Sequence, residues 1–225
     1  MTRDPLSERP AKTTVLLASA SPARLGVLRN AGLDPLVTVS GVDEDAVLAT
    51  LEDREPAGRI TGLAEAKADA VVNRILTGRL PEIPSDDLIV IGCDSMLLID
   101  NELKGKPADA EQARLLWRQM AGRSALLITG HAVRRMRNAR LTAAAAGSRS
   151  SIVRMGSPSE LEVAAYIGTG EPLAVAGGLT IDGFGGWFVD GVDGDPSNVL
   201  GISLPLTRQL LASIGVGVTD LWRAP

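Results

Sequence analysis

The chain of 225 residues is 45% apolar and 22% charged, with a formal net charge of −4. That is the balance of a soluble globular protein, without the global basic footprint of a nucleic-acid binder. One cysteine and one histidine exclude an internal disulfide, fit a reducing cytoplasm and leave a zinc site without its usual ligands, while 3% aromatics offer no base-stacking platform.

No apolar run has membrane-spanning length. With one histidine, one cysteine and few aromatics, any catalysis falls to carboxylates, lysines and arginines. Residues 1–12 lack the apolar core of a signal peptide and read as a disordered tail. Thr13 to Ala18 is the first strand-like run. Ser21 is a good N-cap and Pro22 a good first helical residue for a helix to about Ala31, closed by Gly32. Strand, Ser-rich turn and helix N-terminus together present free backbone N–H groups to an anion. Arg24, in the first turn, opposes the helix dipole, which an adjacent anion would offset. Leu36 to Ser40 reads as a second strand, running into Asp43-Glu44-Asp45. Ile60 to Leu76 is amphipathic, with Ile60, Leu63, Ala64, Val71 and Ile75 on its apolar stripe. Lys67 falls on the same stripe, where it either snorkels or faces a ligand.

Leu88 to Pro107 is the centre of the chain. Four branched apolar residues, Leu88 to Ile91, suit a strand buried on both faces. Gly92 and Cys93 narrow it, and Asp94 follows where it should end, at the edge where open α/β sheets bind ligands. Met96 to Ile99 reads as a second short strand with Asp100-Asn101 as its turn. Lys104-Gly105-Lys106-Pro107 brings two cations back towards Asp94, a pairing that suits a phosphorylated substrate.

Asp109 with Gln112 starts a helix that buries Ala113, Leu116, Trp117 and Met120. Ser124 to Val133 is strand-like. Arg134 to Ser150, rich in Arg and Ala, reads as a hairpin tip or mobile loop with a solvated arginine face. Ile152 to Met155 is strand-like, and Ser157-Pro158-Ser159-Glu160 reads as a second capping box. Residues 171–201 are glycine-dense around a short strand, Trp187-Phe188-Val189. Pro205 to Ile214 is the last helix. With no repeat and no linker, one domain is expected over residues 13–215, followed by a tail over 216–225.

These blocks together resemble the Maf family of nucleotide pyrophosphatases: LLASASPARLGVLRNAGL at 16–33, residues 90–123 beginning VIGCDSMLLIDNELKGKP, the TG at 129–130, and AGGLTIDGFGGWFVDGVDGDPSNVLGISLPL at 176–206. The resemblance implies an α/β fold with a mixed, twisted sheet flanked by helices and two lobes around a long cleft. It also implies hydrolysis of nucleoside triphosphates to monophosphate and pyrophosphate with a divalent metal, Mg²⁺ or Mn²⁺. The family's SxSP turn falls on Ser19, Ser21 and Pro22, its next arginine on Arg24, its catalytic acid on Asp94 and its lysines on Lys67 and Lys106. Its acid after the second strand is matched to Asp43, where glutamate is commoner. Three positions depart from the pyrimidine-specific branch: Ala23 for arginine, Ser95 for threonine and Asp182 for glutamine.

The expected partner is a nucleoside triphosphate, canonical or modified, with neither nucleic acid nor membrane; a homodimer is a candidate assembly. Asp94 is expected to act on the attacking water or to hold the metal, two roles the sequence leaves open. A non-catalytic nucleotide-binding regulator of septum formation is the alternative, which intact Asp94, Lys67 and Lys106 disfavour. Asp94 as a covalent nucleophile is disfavoured by Met96, where such phosphatases carry a second aspartate. Cys93 and His131 are read as packing residues.

Overall fold

The computed structural model describes residues 13–80, 83 and 86–223, so the expected N-terminal tail lies outside the described residues. The strands are β1 (Thr14–Leu17), β2 (Leu36–Val37), β3 (Asp87–Ile99), β4 (Glu102–Lys104), β5 (Ser124–Arg137), β6 (Arg140–Met155) and β7 (Val189–Asp193). The helices are α1 (Pro22–Asn30), α2 (Glu44–Ala49), α3 (Pro56–Leu76), α4 (Ala110–Met120), α5 (Glu160–Gly168), α6 (Glu171–Ala174), α7 (Pro196–Val199) and α8 (Leu204–Ser213). The strands form one sheet in the order β2-β1-β3-β5-β6-β7, with β4 beside β3. β1 runs parallel to β2 and β3, and the other pairs are antiparallel. The expected mixed sheet flanked by helices is what the chain forms.

β3 is one strand, not two. β5 pairs with it without interruption from Asp87 to Leu98, and that pairing carries the backbone straight through Gly92 and Asp94. Asp94 therefore lies mid-strand. β1 pairs with β3 only as far as Ile91, so Asp94 sits just past the carboxyl end of β1, where a crevice opens.

Arg134 to Ser150 is regular structure. β5 and β6 make a long hairpin closed at Asn138-Ala139, both left-handed (φ 49° and 54°), as a two-residue type I′ turn requires. Buried Arg134 donates from Nε to Asp69 on α3 at 2.6 Å and from Nη2 to Glu65 at 3.4 Å. Arg135 donates to Asp87 at 2.9 and 2.6 Å, holding that carboxyl below its ordinary pKa. These arginines tie the hairpin to α3 and β3 and form no solvated face.

Other boundaries move. The second strand shrinks to two residues, and α3 starts a turn early. The capping box is Ser159 with Glu162, two residues beyond the pair read from sequence. Trp187 and Phe188 belong to a 3₁₀ turn, and the strand begins at Val189. Residues 216–223 are no tail: Val216 and Leu221 are buried, and the Arg223 N–H bonds the Gly32 carbonyl at 2.8 Å.

Apolar packing gathers at opposite ends of the long strands. One core joins Leu97, Leu127 and Val153 to Trp117 of α4 and Tyr166 of α5. At the other end, Val15, Leu17, Ile91 and Leu211 pack on one face of the sheet, and Ala64, Ala68, Val71 and Val90 on the other. A buried polar belt of Asp94, Thr129, His131, Asn198 and Ser203 separates them. Across it lies α3, in contact with the sheet at backbone level. A methyl group on Gly92 would strike the Ala64 carbonyl, and one on Gly130 would strike the Ile60 carbonyl. Gly92 and Gly130 thus let the helix lie close enough for Lys67 to reach Asp94.

His131 fastens the start of α8 to this belt. Its Nε2 accepts the Ser203 N–H at 2.7 Å, so the proton sits on Nδ1 and is donated to the Thr129 carbonyl at 3.1 Å. Burial, assisted by the charge of Arg24, lowers its pKa from 6.5 to about 4. The unfolded chain therefore takes up the proton first. This contribution to stability is full above about pH 6.5 and falls as pH drops towards 4, by about 2 kcal/mol between pH 7 and pH 5. In His131→Leu that part of the pH dependence is expected to disappear, although the variant is less stable at pH 7 because the Ser203 N–H loses its acceptor. Urea unfolding of both proteins at pH 7 and pH 5 checks this, and parallel losses would refute it.

Candidate active site

A cleft of about 860 Å³ opens between the two cores, beside the middle of β3. Ser19 to Arg24, Lys67, Asp94, Ser95, Lys106 and Asp182 all line it, so the structure brings together every sequence-derived site residue except Asp43.

The floor is an ion pair. Lys67 and Asp94 are each 6% exposed, and Lys67 Nζ donates to Asp94 Oδ1. The same ammonium lies 2.7 Å from Glu44 Oε1. Lys67 therefore does not snorkel; it ends between two carboxylates at the bottom of the cleft. Burial pushes the Asp94 carboxyl above the ordinary aspartate range, opposed by the charges of Lys67 and Arg24. Among the described residues no hydrogen bond involves Asp94 Oδ2, which leaves one oxygen for a ligand or a proton.

Asp43 is a correction. Its carboxylate caps α2, accepting the Ala46 N–H at 3.0 Å, and it does not line the cleft. Its neighbour Glu44 does, reaching the lysine from the first position of the helix. An aspartate N-cap leaves the next acid free to point away, and that signal stood in Asp43-Glu44-Asp45.

Ser21 caps α1 and accepts the Arg24 N–H at 3.4 Å. Ser19 Oγ accepts the Ser21 N–H at 3.2 Å and Arg24 Nη1 at 3.0 Å. Arg24 also donates from Nε to the Gly201 carbonyl at 2.8 Å, from Nη1 to the Cys93 carbonyl at 2.9 Å and from Nη2 to Ser95 Oγ at 3.1 Å. Four of its five N–H groups are thus committed within the protein. It therefore has no two-pronged fork left for an anion. It joins α1, β3 and the turn after α7, and keeps its charge and one N–H for the cleft.

Lys106 is exposed and makes no ion pair among the described residues. Its loop is pinned where the Gly177 N–H donates to the Gly105 carbonyl at 2.8 Å. Ala23 lines the cleft in the first turn of α1. Ser95 Oγ is occupied by Arg24 and by Thr129 Oγ1 at 2.9 Å, so its hydroxyl belongs to the arginine hub. Asp182 accepts the Thr180 hydroxyl through Oδ1. Cys93 is fully buried, with its thiol pushed up to about 11 by burial, and is inert packing. Glu171, which also lines the cleft from the start of α6, carried no signal in the sequence, where it only opened the glycine-dense stretch.

Among the described residues no three His, Cys, Asp or Glu side chains cluster as a metal cage. The available donors are Asp94 Oδ2 and the second oxygen of Glu44. That pair fits Mg²⁺, which takes one or two carboxylates together with substrate phosphates and water.

Residues 14–214 match the family described as Maf-like protein. The chain is 57% identical over 211 residues to a protein of Saccharopolyspora erythraea named nucleoside triphosphate pyrophosphatase, covering 93% of this chain and 97% of that one. A Nocardia farcinica protein of the same name is 55% identical over 214 residues, covering 95% and 98%, and one from Rhodococcus jostii is 52% identical, covering 93% and 96%.

Proposed function

This chain belongs to the Maf-like protein family, and from that premise we propose how its cleft acts on a nucleoside triphosphate. It is a nucleoside triphosphate pyrophosphatase, yielding the monophosphate and pyrophosphate. A non-catalytic regulatory role is not favoured. Among the described residues no helix is long and apolar enough to cross a membrane.

The observation that carries the mechanism is the buried Lys67–Asp94 pair with one carboxylate oxygen left over. Water attacks the α-phosphorus while Asp94 Oδ2 orients it or takes its proton; the raised pKa of Asp94 makes it a better base than an ordinary aspartate. Phosphoryl transfer needs little else but positioning and charge neutralisation. Ser19, Ser21 and the Ala23 N–H hold phosphate oxygens; Pro22 has no N–H, and the Ser21, Arg24 and Leu25 amides are already bonded within the turn. Arg24 contributes its charge and one N–H, and Lys67 and Lys106 neutralise the triphosphate and the leaving pyrophosphate. A divalent metal, Mg²⁺ or Mn²⁺, would be held by Glu44 and, as the alternative to its action on the water, by Asp94, and would supply charge neutralisation to the phosphates. The test is a panel of canonical and modified nucleoside triphosphates with either metal, scored for pyrophosphate against orthophosphate. Pyrophosphate with monophosphate is expected, and stepwise orthophosphate release would overturn the mechanism.

Base choice falls to Ala23 and Asp182. Ala23 leaves room where the pyrimidine branch carries a long cation. Asp182, already accepting one hydroxyl, presents an acceptor-only oxygen that favours bases offering N–H groups, as guanine and cytosine do, over the O4 edge of uracil or thymine. The enzyme is therefore expected not to be restricted to dTTP and UTP, and Asp182→Gln is expected to shift kcat/KM towards those two. A parent protein that already prefers dTTP and UTP by tenfold, about 1.4 kcal/mol, would contradict this.

A further inference from the structure

The wall of the cleft that carries Asp182 is held in an unusual way. Glu171 opens α6 directly after Gly170, and its carboxylate is inserted into the concave side of the 182–186 loop. Oε1 accepts the Tyr166 hydroxyl at 2.9 Å and the Gly185 N–H at 2.9 Å, and Oε2 accepts the Phe184 N–H at 3.0 Å. Among the described residues no lysine or arginine pairs with it, so this is no surface salt bridge. Two successive backbone N–H groups cupping an anion form a nest, here filled by a side chain of the protein itself.

The loop is shaped for that carboxylate. A methyl group on Gly183 would occupy the space of the Glu171 carboxyl, and one on Gly185 would press on the Tyr166 hydroxyl and the Thr180 carbonyl. Tyr166 in turn is fixed. It is 3% exposed, and its ring meets Trp117 edge-on at 5.6 Å and 89°. Burial and the bond to Glu171 keep its hydroxyl protonated. Glu171 therefore connects the loop to a rigid core.

Ile181 and Phe188 anchor the two ends of the loop on the core, and between them its own side chains add little. On its outer side Phe184 is 60% and Trp187 87% exposed, so apolar burial contributes little. On its inner side Glu171, Asp182 and Gly183 face the cleft.

We propose that Glu171 is a positioning residue for nucleobase selection: by gripping the Phe184 and Gly185 amides it fixes the loop that presents Asp182 to the base. The proposal rests on the reading of this cleft as the nucleotide site. Glutamine at 171 keeps the shape but replaces one oxygen with an N–H₂ donor. Tyr166 can turn its hydroxyl to suit, whereas a backbone N–H cannot, so at least one grip on the loop is lost.

The experiment compares the parent protein with Glu171→Gln over a nucleotide panel, alongside amide hydrogen exchange. In the variant, exchange at Phe184 and Gly185 is expected to speed up at least tenfold. KM for the preferred nucleotide should rise about tenfold while kcat moves far less, and the spread of kcat/KM across bases should narrow at least tenfold. A merely structural role would lower the melting temperature and leave that spread unchanged, and an unchanged spread overturns the proposal. If the parent released no pyrophosphate from any nucleotide, the catalytic reading would fail on its own. Dissociation constants for the same panel would then take the place of KM, with the same narrowing expected and an unchanged spread again overturning it. Tyr166→Phe, which removes one of the three donors, serves if Glu171→Gln does not fold. It should narrow the spread in the same direction by a smaller factor, and no narrowing would again refute the role.

Discussion

Asp94→Asn is expected to lower kcat at least about a hundredfold, the loss that follows removal of a positioned base, while the protein stays folded. The fold should survive because asparagine keeps the shape and Lys67 retains Glu44 at 2.7 Å as a counter-charge. The variant therefore loses the carboxylate without leaving a buried ammonium alone. Burial raises the Asp94 pKa, so in the parent the acid limb of kcat/KM should lie above the ordinary aspartate range, with activity lost as pH falls through it. In the variant that limb should be gone. Turnover on the preferred nucleotide, with circular dichroism and thermal unfolding as controls, measures both. Near-normal turnover in a folded variant would remove Asp94 from the chemistry.

Lys67→Met should be more damaging. It takes away the cation between Asp94 and Glu44 and leaves a buried carboxylate uncompensated. Breaking such a pair from one side costs about 3–5 kcal/mol, reduced where the carboxylate can take up a proton. The pKa of Asp94, already raised, should climb further. A folded-state pKa above the unfolded one means that the folded state holds the proton longer, so the variant loses stability as pH rises. It should sit closest to the parent near pH 5 and furthest below it near pH 8. Adding Asp94→Asn to Lys67→Met should restore much of the stability at pH 8, since no charge is then left stranded. Activity should fall by orders of magnitude in both. Urea unfolding at the two pH values, with kcat/KM, checks this. Unchanged stability and turnover in Lys67→Met would return the lysine to a packing role.

Features governed by neighbouring residues could be read directly from the sequence. Ser21 and Asp109 cap their helices where the spacing put them. Lys67 stood out as one charge on an apolar stripe, and the stripe faces the sheet. Features governed by distant partners could not be read this way. Arg134 and Arg135 looked solvated because their carboxylates lie on α3 and at the start of β3, far away in sequence. The sequence reads β3 as ending at Asp94 because glycine and aspartate are poor strand formers, and only pairing with β5 overrides that preference. In the site, the motif pointed to the correct turn for Arg24 but could not reveal that its donors are already engaged. Asp43 and Glu44 were separated only by which of them caps α2.

The contact between α3 and the sheet at Gly92 and Gly130 bears on mechanical tolerance. A layer of leucine side chains between a helix and a sheet can repack when a ligand pushes on it, and the gap drifts by fractions of an ångström. Two peptide backbones in van der Waals contact have no such give. The spacing between Lys67 and Asp94 is therefore set by main-chain geometry and stays fixed whichever nucleotide enters. On the opposite wall the tip of the 182–186 loop is tied by two amide bonds to one carboxylate, which a third bond fixes to Tyr166, and each of these can be exchanged singly. The cleft works like a vice with one welded jaw and one adjustable jaw, so changes at the base end leave the hydrolytic end in register.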